Sequence, residues 1–370
     1  MGNPRAKIKI LFMVSVDAQN TNAQSLNARE IVLRLDPERF ESSLFYEHSP
    51  DDRLLHHPSV RLVRMPQRVR TLRILSEMLM WPDVIAYVDY SPASYVFLHL
   101  PKVLRRHTVT VSHVEAPSGQ LAGTSKTVRR LHDGLLPRCE VHTGITDFIV
   151  RELAESMGLR AEFTLPVGVD TRMFVPPVVR SNPVPTVLFA GTVIERKRPD
   201  LVVEAARQLP QAAFGIVGAG RYGFDQVLRR RCEELGVSNV RFHGPQSQTA
   251  LVALMQRSDI FLLPSRLEGL PKVTLEAAAT GLPCVVFRDY ETPSVVEGVT
   301  GFQVGTFEEM VSRLKLLIEN RELRLKMGTA AVQHVKKFDW DVIAPQWQQA
   351  YLQVAAEHLL MQAKAERGLA

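Results

Sequence analysis

Ile260-Phe261-Leu262-Leu263-Pro264-Ser265-Arg266-Leu267-Glu268-Gly269-Leu270-Pro271-Lys272-Val273-Thr274-Leu275-Glu276-Ala277-Ala278-Ala279 is the stretch on which the reading of the chain turns. The opening apolar run suits a strand buried on both faces, and the helix-forming residues after Pro271 suit the crossover that follows a parallel strand. Open parallel sheets bind ligands at the carboxyl ends of their strands, so the loop between strand and helix is where chemistry is expected. Gly269 lets the backbone approach a ligand, and the helix start over Leu270, Pro271, Lys272 and Val273 offers unpaired N–H groups and a positive dipole end to a diphosphate. Glu268 can accept from sugar hydroxyls. Glu276 can accept both hydroxyls of a ribose, each charge-assisted bond contributing ~1.5–3 kcal/mol. A plainer reading of Glu276 is a first-turn glutamate favoured by the helix dipole.

Two neighbouring strand ends point the same way. Thr186 to Ala190 leads into Gly191-Thr192-Val193-Ile194-Glu195-Arg196-Lys197-Arg198-Pro199-Asp200, a basic triplet before a helix that proline can start. Three adjacent cations suit a phosphate, a solvated basic turn being the alternative. Gly215-Ile216-Val217-Gly218-Ala219-Gly220-Arg221-Tyr222-Gly223 carries a GxGxxG spacing after a strand. That strand is not the first of its domain, and the next strand end, Val240-Arg241-Phe242-His243-Gly244, offers no acid for the ribose of NAD. Gly218 and Gly220 are therefore read as close backbone approach to a nucleotide, and a redox cofactor is disfavoured.

Short β-branched runs alternate with helical patterns along the whole chain, the signature of parallel sheets with crossover helices. Strands are expected near Ile8–Val14, Ser43–Tyr46, Val60–Arg64, Val84–Tyr87, Thr108–Ser112, Val141–Thr143 and Glu162–Leu165. A second set is expected at Thr186–Ala190, Ala213–Val217, Val240–Phe242, Ile260–Leu263 and Cys284–Phe287. The 370 residues suggest two domains. The proline-rich segment Pro176 to Pro185 reads as an extended linker, which divides the chain into a first domain over 1–175 and a second over 176–339. After Gly301 the pattern turns helical, and residues 340–370 hold a helix long enough to cross back onto the first domain.

A hydrophobic share of 45% and a charged share of 23% are those of a globular chain. No run approaches the ~20 apolar residues of a membrane span, and the apolar start, Ile8 to Val16, is broken by Lys9 and lacks a cleavage site. Cys139, Cys232 and Cys284 form no CxxC pair, which argues against a disulfide scaffold and a zinc site. A reducing, cytoplasmic setting is expected. The net charge of +6 is concentrated between Arg53 and Arg138, where basic residues far outnumber acidic ones. Within it, Arg61 to Trp81 interleaves arginines with Leu72, Ile74, Leu75, Met78, Leu79, Met80 and Trp81. Two readings stand: peripheral contact with an anionic inner membrane surface, or a helix packed on its own sheet with a solvated basic face. The arginines are not interleaved with exposed aromatics and no helix-turn-helix or zinc pattern appears, so nucleic acid is not expected as a partner.

The series Pro264-Ser265 through Glu268 to Glu276, continued by Ala277-Ala278-Ala279-Thr280-Gly281-Leu282-Pro283-Cys284-Val285-Val286, resembles the donor-site signature of glycosyltransferase family 4, the retaining GT-B group, including its E-x7-E pair. Leu165-Pro166-Val167-Gly168-Val169-Asp170 is similar to the family's interdomain turn, Gly191 to Lys197 to its basic loop, Phe242-His243-Gly244 to its base-side strand end, and Val299-Thr300-Gly301-Phe302 to the segment closing the core. The resemblance runs from roughly Val141 to the C-terminus and is looser before it. It implies a GT-B fold: two doubly wound, Rossmann-like α/β domains facing a central cleft, 1–175 acceptor-binding and 176–339 donor-binding, with the C-terminal helix returning to the first. It implies a hexosyltransferase that moves a sugar from a nucleotide diphosphate sugar, UDP or GDP, onto an acceptor hydroxyl with retention, with no metal and no resident cofactor. The acceptor classes are a lipid-linked glycan, a polysaccharide or a small molecule.

By the same resemblance, Lys197 matches the phosphate-binding lysine, and His243, Gly191 and Arg196 fall in the donor site. The family's arginine after the glycine is absent, Thr192 standing there, so Arg196 or Arg198 is left to supply that charge. Val111-Ser112-His113-Val114-Glu115 is similar to the strand bearing a histidine beside the donor sugar. His113 is the expected contact there, although a lone histidine at a strand end is more often structural. The family's glycine pair after the first strand is replaced by Asn20-Thr21-Asn22-Ala23-Gln24-Ser25, polar residues that could face the acceptor. The reacting groups expected are thus His113, Lys197 and Glu268. A sugar-nucleotide epimerase of the same architecture is the rival reading.

Overall fold

A computed structural model describes residues 7–18, 23–80, 82–87, 91–100, 108–117 and 126–366. Asn20, Thr21 and Asn22 of the polar segment, and Trp81, Lys102, Arg105 and Arg106 of the basic stretch, lie outside the described residues. The chain divides into two compact units, Met1–Pro166 together with Asp341–Ala370, and Val167–Trp340.

The first unit is built on seven parallel strands, β1 (Ile8–Ser15), β2 (Phe40–Tyr46), β3 (Val60–Arg64), β4 (Val84–Ala86), β5 (Val109–Val114), β6 (Val141–Gly144) and β7 (Phe163–Thr164), in the order β3-β2-β1-β4-β5-β6-β7. Its strand interiors are apolar because helices cover both faces. On one of them Leu11, Phe45, Val63 and Ile85 pack with Ile74, Met78 and Phe97 from the helices Arg70–Met80 and Pro92–His99. Asp17, just past β1, ties down the turn after β2: its carboxylate accepts from the backbone N–H groups of Glu47, His48 and Ser49 at 2.7–3.2 Å. The helix Trp340–Glu366 returns to this unit as expected. Trp347 and Tyr351 are fully buried, and Trp347 Nε1 donates to Pro166 O at 2.9 Å.

The second unit has six parallel strands, β8 (Thr186–Ala190), β9 (Ala213–Val217), β10 (Val240–Gly244), β11 (Ile260–Leu263), β12 (Cys284–Phe287) and β13 (Gly301–Val304), in the order β10-β9-β8-β11-β12-β13. Strand order reverses between β8 and β11, and the crevice at such a switch point is where doubly wound sheets hold ligands. The loops singled out in the sequence, after β8 and after β11, flank that point.

Two expectations need correction. The segment after Gly301 begins with a strand, not a helix: β13 pairs with β12, and a Cβ on Gly301 would lie 2.1 Å from Cys284 O. Only glycine admits that approach, and a strand this short with Gln303 inside it has little periodicity to read. The proline-rich segment is also no free linker. Arg180 donates to Ser258 O and, at 2.7 Å, to Thr280 O, while Asn182 Nδ2 donates to Asp259 Oδ2 at 2.7 Å. These bonds seal the segment onto the second unit, and the division of the chain falls earlier, at Pro166.

Candidate active site

Backbone contacts first bring the loops of the second unit together. Gly191 N donates to Val217 O at 3.0 Å, Val193 N to Ala219 O at 2.9 Å and Gly218 N to Gly244 O at 2.9 Å, so the chain beyond β8, β9 and β10 stays in register past the strand ends. Gly218 has φ +140°, and a Cβ there would sit 1.8 Å from Gly191 O. A Cβ on Gly220 would sit 2.0 Å from Asp225 Oδ1. Of the three glycines of the GxGxxG spacing, Gly218 is therefore required by the backbone it packs on and Gly220 lies close against the Asp225 side chain, whereas Gly223 meets nothing within 4 Å. The His243 ring lies over Gly215, about where a Cβ would meet its Nε2 at 3.3 Å. Burial, with Arg241 adding to it, lowers the affinity of that ring for a proton.

The loop after β8 then meets the loop after β11. Arg266 N donates to Arg196 O at 3.0 Å, pinning one backbone to the other. Lys197 Nζ lies 2.7 Å and Arg196 Nη1 3.1 Å from Glu268 Oε1, and Ser265 Oγ donates to the same oxygen at 2.8 Å. Arg196 also donates to Leu267 O. Glu268 is 6% exposed. Burial would push its carboxyl up, but Lys197 and Arg196, with the bonds from Lys197 and Ser265, together hold it below the usual carboxylate range. Gly191 is moulded to the same lysine, a Cβ there coming within 3.2–3.4 Å of the Lys197 side chain. Of the two arginines left open by the sequence, Arg196 stands beside Lys197, whereas Arg198 turns away in a left-handed conformation (φ +50°) with its guanidinium 4.6 Å from the centre of the Phe287 ring.

The helix Lys272–Ala279 begins behind Pro271 with no side-chain cap. Thr274 turns its hydroxyl back to Pro271 O at 2.7 Å and meets Ser294 Oγ at 2.7 Å, which fixes this end of the helix. Lys272 Nζ lies 5.1 Å from the centre of the Trp340 ring. Glu276, one turn further on, is 5% exposed. Burial raises its carboxyl above the ordinary range, and Lys272 only partly offsets this. Gly269, Leu270 and Pro271 are buried between the two carboxylates in sequence, while Val273 is half-buried.

His113 lies in the first unit and is not placed as a free catalytic group. Its Nδ1 pairs with Thr143 Oγ1 at 2.6 Å and its Nε2 with Tyr351 Oη at 2.9 Å. The rings of Tyr87 and Trp347 stand 4.5 and 4.8 Å from it, centre to centre. Burial pushes the imidazole down to about 3. Both nitrogens are thus satisfied within the unit, and the ring joins β5 to the C-terminal helix. These contacts fit the structural role that the sequence offered as the alternative to a sugar contact, and Tyr351 lies too far along the chain for motif spacing to reveal it.

Among the described residues no group of three or more His, Cys, Asp or Glu is placed to hold a metal ion. No helix among them is long and apolar enough to cross a membrane. The three cysteines are buried and unbridged.

Two doubly wound parallel sheets, the second with a cationic loop and an uncapped helix start at its switch point, define a two-unit α/β class of protein whose second unit offers a crevice suited to an anion. The comparisons agree. Residues 176–334 match the family described as glycosyl transferases group 1. A GDP-mannose-dependent monoacylated alpha-(1-6)-phosphatidylinositol monomannoside mannosyltransferase of Corynebacterium glutamicum is 27% identical over 60% of this chain and 64% of its own length. A D-inositol 3-phosphate glycosyltransferase of Mycobacterium leprae is 36% identical over 42% of this chain and 38% of its own. The chain thus spans less than two thirds of either relative. Among solved structures, sucrose-phosphate synthase of Thermosynechococcus elongatus superposes with a TM-score of 0.79 at 17% identity, over 95% of this chain and 100% of that one. The Anabaena protein HepE in complex with UDP superposes with a TM-score of 0.73 at 18% identity, over 94% and 100%. The fold is GT-B, as expected, and the relatives support a family like glycosyltransferase family 4. The family match and the two named relatives are glycosyltransferases, which agrees with the enzyme class read from the sequence and lends the epimerase reading no support.

Proposed function

We propose that this protein is a retaining, metal-independent glycosyltransferase that moves a hexosyl unit from a nucleotide diphosphate sugar, UDP- or GDP-linked, to an acceptor hydroxyl. The observation that carries the reading is the convergence of Lys197 and Arg196 on Glu268 at the switch point, at 2.7 and 3.1 Å. Two cations against one carboxylate leave net positive charge beside an uncapped helix start, which suits a pyrophosphate.

In the reaction, the acceptor oxygen bonds to the anomeric carbon as the bond from that carbon to the phosphate oxygen breaks. The nucleoside diphosphate leaves with the electron pair, and its departing oxygen takes the acceptor proton. Lys197 and Arg196 stabilise the charge that grows on the leaving group. Glu268 accepts from the sugar, and Glu276 holds the ribose hydroxyls. Positioning supplies the rest. The test is donor turnover with and without acceptor, after a thermal-shift screen against UDP, GDP, ADP and TDP sugars identifies the donor. A folded protein stabilised by none of them would refute the reading.

A second observation supports a lipid-linked acceptor. The helix Arg70–Met80 packs Ile74 and Met78 inward, yet leaves Leu72 and Met80 69% and 85% exposed, with Arg68 and Arg70 exposed beside them. Arg70 and Arg73 also pair with Glu47 and Glu77 at 2.9 and 3.2 Å, so the face is basic but partly neutralised. Apolar and cationic groups together suit the surface of an anionic membrane, and with it a lipid-linked acceptor.

A further inference from the structure

The first unit has a switch point of its own. Its strand order reverses between β1 and β4, so a crevice is expected past the carboxyl ends of β1, β4 and β5. Asn27, on the helix Ala23–Val32 that follows β1, donates through Nδ2 to Glu115 Oε1 at 3.0 Å, and Glu115 is the first residue after β5. Since β4 stands between β1 and β5 in the sheet, this bond joins the two sides of the crevice. The residue directly after β4, Tyr87, has φ +55°, a conformation that a side chain of this size keeps only where its surroundings impose it. They do so here: its ring is 4% exposed, 4.5 Å from the His113 ring and stacked 6.1 Å from that of Trp347, centre to centre. Asn27 is 1% exposed, whereas Glu115 is half-buried, so a fixed amide orients a carboxylate that still meets solvent.

The charge at this switch point is opposite to that in the second unit. In sequence, the connections that leave β1, β4 and β5, residues 16–22, 87–91 and 115–125, hold Asp17, Asp89 and Glu115 and no lysine, arginine or histidine. Asp89 lies outside the described residues, and Asp17 is taken up by the turn after β2. The cations on the neighbouring helices are engaged elsewhere: Arg29 pairs with Asp51 and Arg53 with Glu30, each at 2.9 Å. Glu115 is therefore the group that sets the chemistry of the crevice. A carboxylate accepts and never donates, and it has lone pairs beyond the one that Asn27 uses. It binds a hydroxyl that gives up a proton, whereas a phosphate would meet it as one anion meets another.

We infer that Glu115, oriented by Asn27, binds a hydroxyl of the acceptor, and that the end of the acceptor which receives the sugar is an uncharged sugar or polyol ring and not a phosphorylated one. Attraction to hydroxyls and repulsion of phosphate then act together as the selectivity of the first unit. The inference rests on the glycosyltransferase reading, and the two can fail separately.

With the UDP- or GDP-hexose that stabilises the full chain held at saturation, transfer would be measured to octyl glucoside, octyl mannoside and myo-inositol, and to the monophosphate ester of each. Donor affinity would be followed by calorimetry. The parent chain should use at least one unphosphorylated probe, with kcat/KM at least about tenfold above that of its ester. Glu115→Gln keeps the shape of the side chain and should raise the acceptor KM about tenfold to a hundredfold, leaving donor affinity unchanged. It should also narrow the gap between probe and ester, which a merely structural bond to Asn27 would not do. Glu115→Asp, which restores the charge, should restore the discrimination. Preference of the parent chain for the esters, or an unchanged acceptor KM in Glu115→Gln, would overturn the inference. So would donor binding without transfer to any of these probes, and in each case the donor site stands. A parent chain that binds none of the nucleotide sugars would take the glycosyltransferase reading down, and this inference with it.

Discussion

Lys197 Nζ and Glu268 Oε1 lie 2.7 Å apart, though the residues are 71 positions apart in the chain and belong to loops that follow different strands. The pair is nearly enclosed, with side chains 13% and 8% exposed. Glu268 is thereby kept charged in a buried place, and Lys197 is held where a diphosphate is proposed to bind. Lys197→Ala should lower kcat by about 10²–10³-fold, the usual loss when one stabiliser of developing charge is removed. Near-normal turnover, measured at saturating donor, would refute the role.

Glu276 predicts a binding defect in place of a rate defect. Glu276→Ala removes the acceptor for two ribose hydroxyls and should weaken nucleoside diphosphate binding about tenfold to a hundredfold, read by calorimetry. Its carboxyl is raised by burial, so in the ligand-free protein the sign of its pH effect is opposite to that of a paired carboxylate. The stability it contributes is fully present below the unfolded pKa and is lost as pH rises through the folded one. Glu276→Gln should therefore gain stability over the parent protein as pH climbs from about 4 to neutral. A gap that does not change with pH would count against the burial argument.

His113 should report on acid stability. Its folded pKa is depressed to about 3, so its contribution is present above the unfolded value near 6.5 and is lost as pH falls from there through about 3. Urea unfolding of the parent protein should weaken across that window, and His113→Gln should lose less over the same range. Because both ring nitrogens are already bonded, the substitution should also lower stability at pH 7. Full stability at pH 7 together with lost turnover would restore a catalytic role.

Gly218 tests the loop scaffold. Gly218→Ala places a carbon where Gly191 O now sits, in a backbone conformation that side chains rarely adopt, and should cost at least about 1–3 kcal/mol. The loop that carries Lys197 shifts with it, so donor affinity should fall alongside the melting temperature. Unchanged values for both would show that the contact between the two loops does not matter.

The membrane surface is checked by flotation with vesicles of neutral or anionic lipid. The chain should float with anionic vesicles only, and Leu72→Asp combined with Met80→Asp should abolish it while leaving the melting temperature unchanged, since both side chains are exposed. Failure of the parent chain to float with either kind would end the idea.

Much of the second unit was legible because the information is local. The strands Thr186–Ala190, Ala213–Val217, Ile260–Leu263 and Cys284–Phe287 are each a continuous apolar run closed by a loop signal, and they form as read. Glu268 and Lys197 could be picked out because each follows such a run. Tyr351 carried no signal as a partner of His113: the two lie 238 positions apart, and their contact exists only once the C-terminal helix has packed. The proline-rich segment misled for a related reason. Proline marks where a chain is extended, and Arg180 then decided what that extended chain lies against.

The sequence alone determined the alternation of strands and helices, the two-domain plan and the loop that would carry the basic triplet, since periodicity and turn chemistry act over a few residues. Only tertiary structure decided that Arg196, and not Arg198, joins Lys197 at Glu268, and that His113 is closed off by Tyr351. Those outcomes depend on partners 72 and 238 positions away in the chain, brought near by strand order and helix packing. A side chain's range of possible roles is written in its type, but the role it takes is fixed by which groups have already satisfied its charge and its hydrogen bonds.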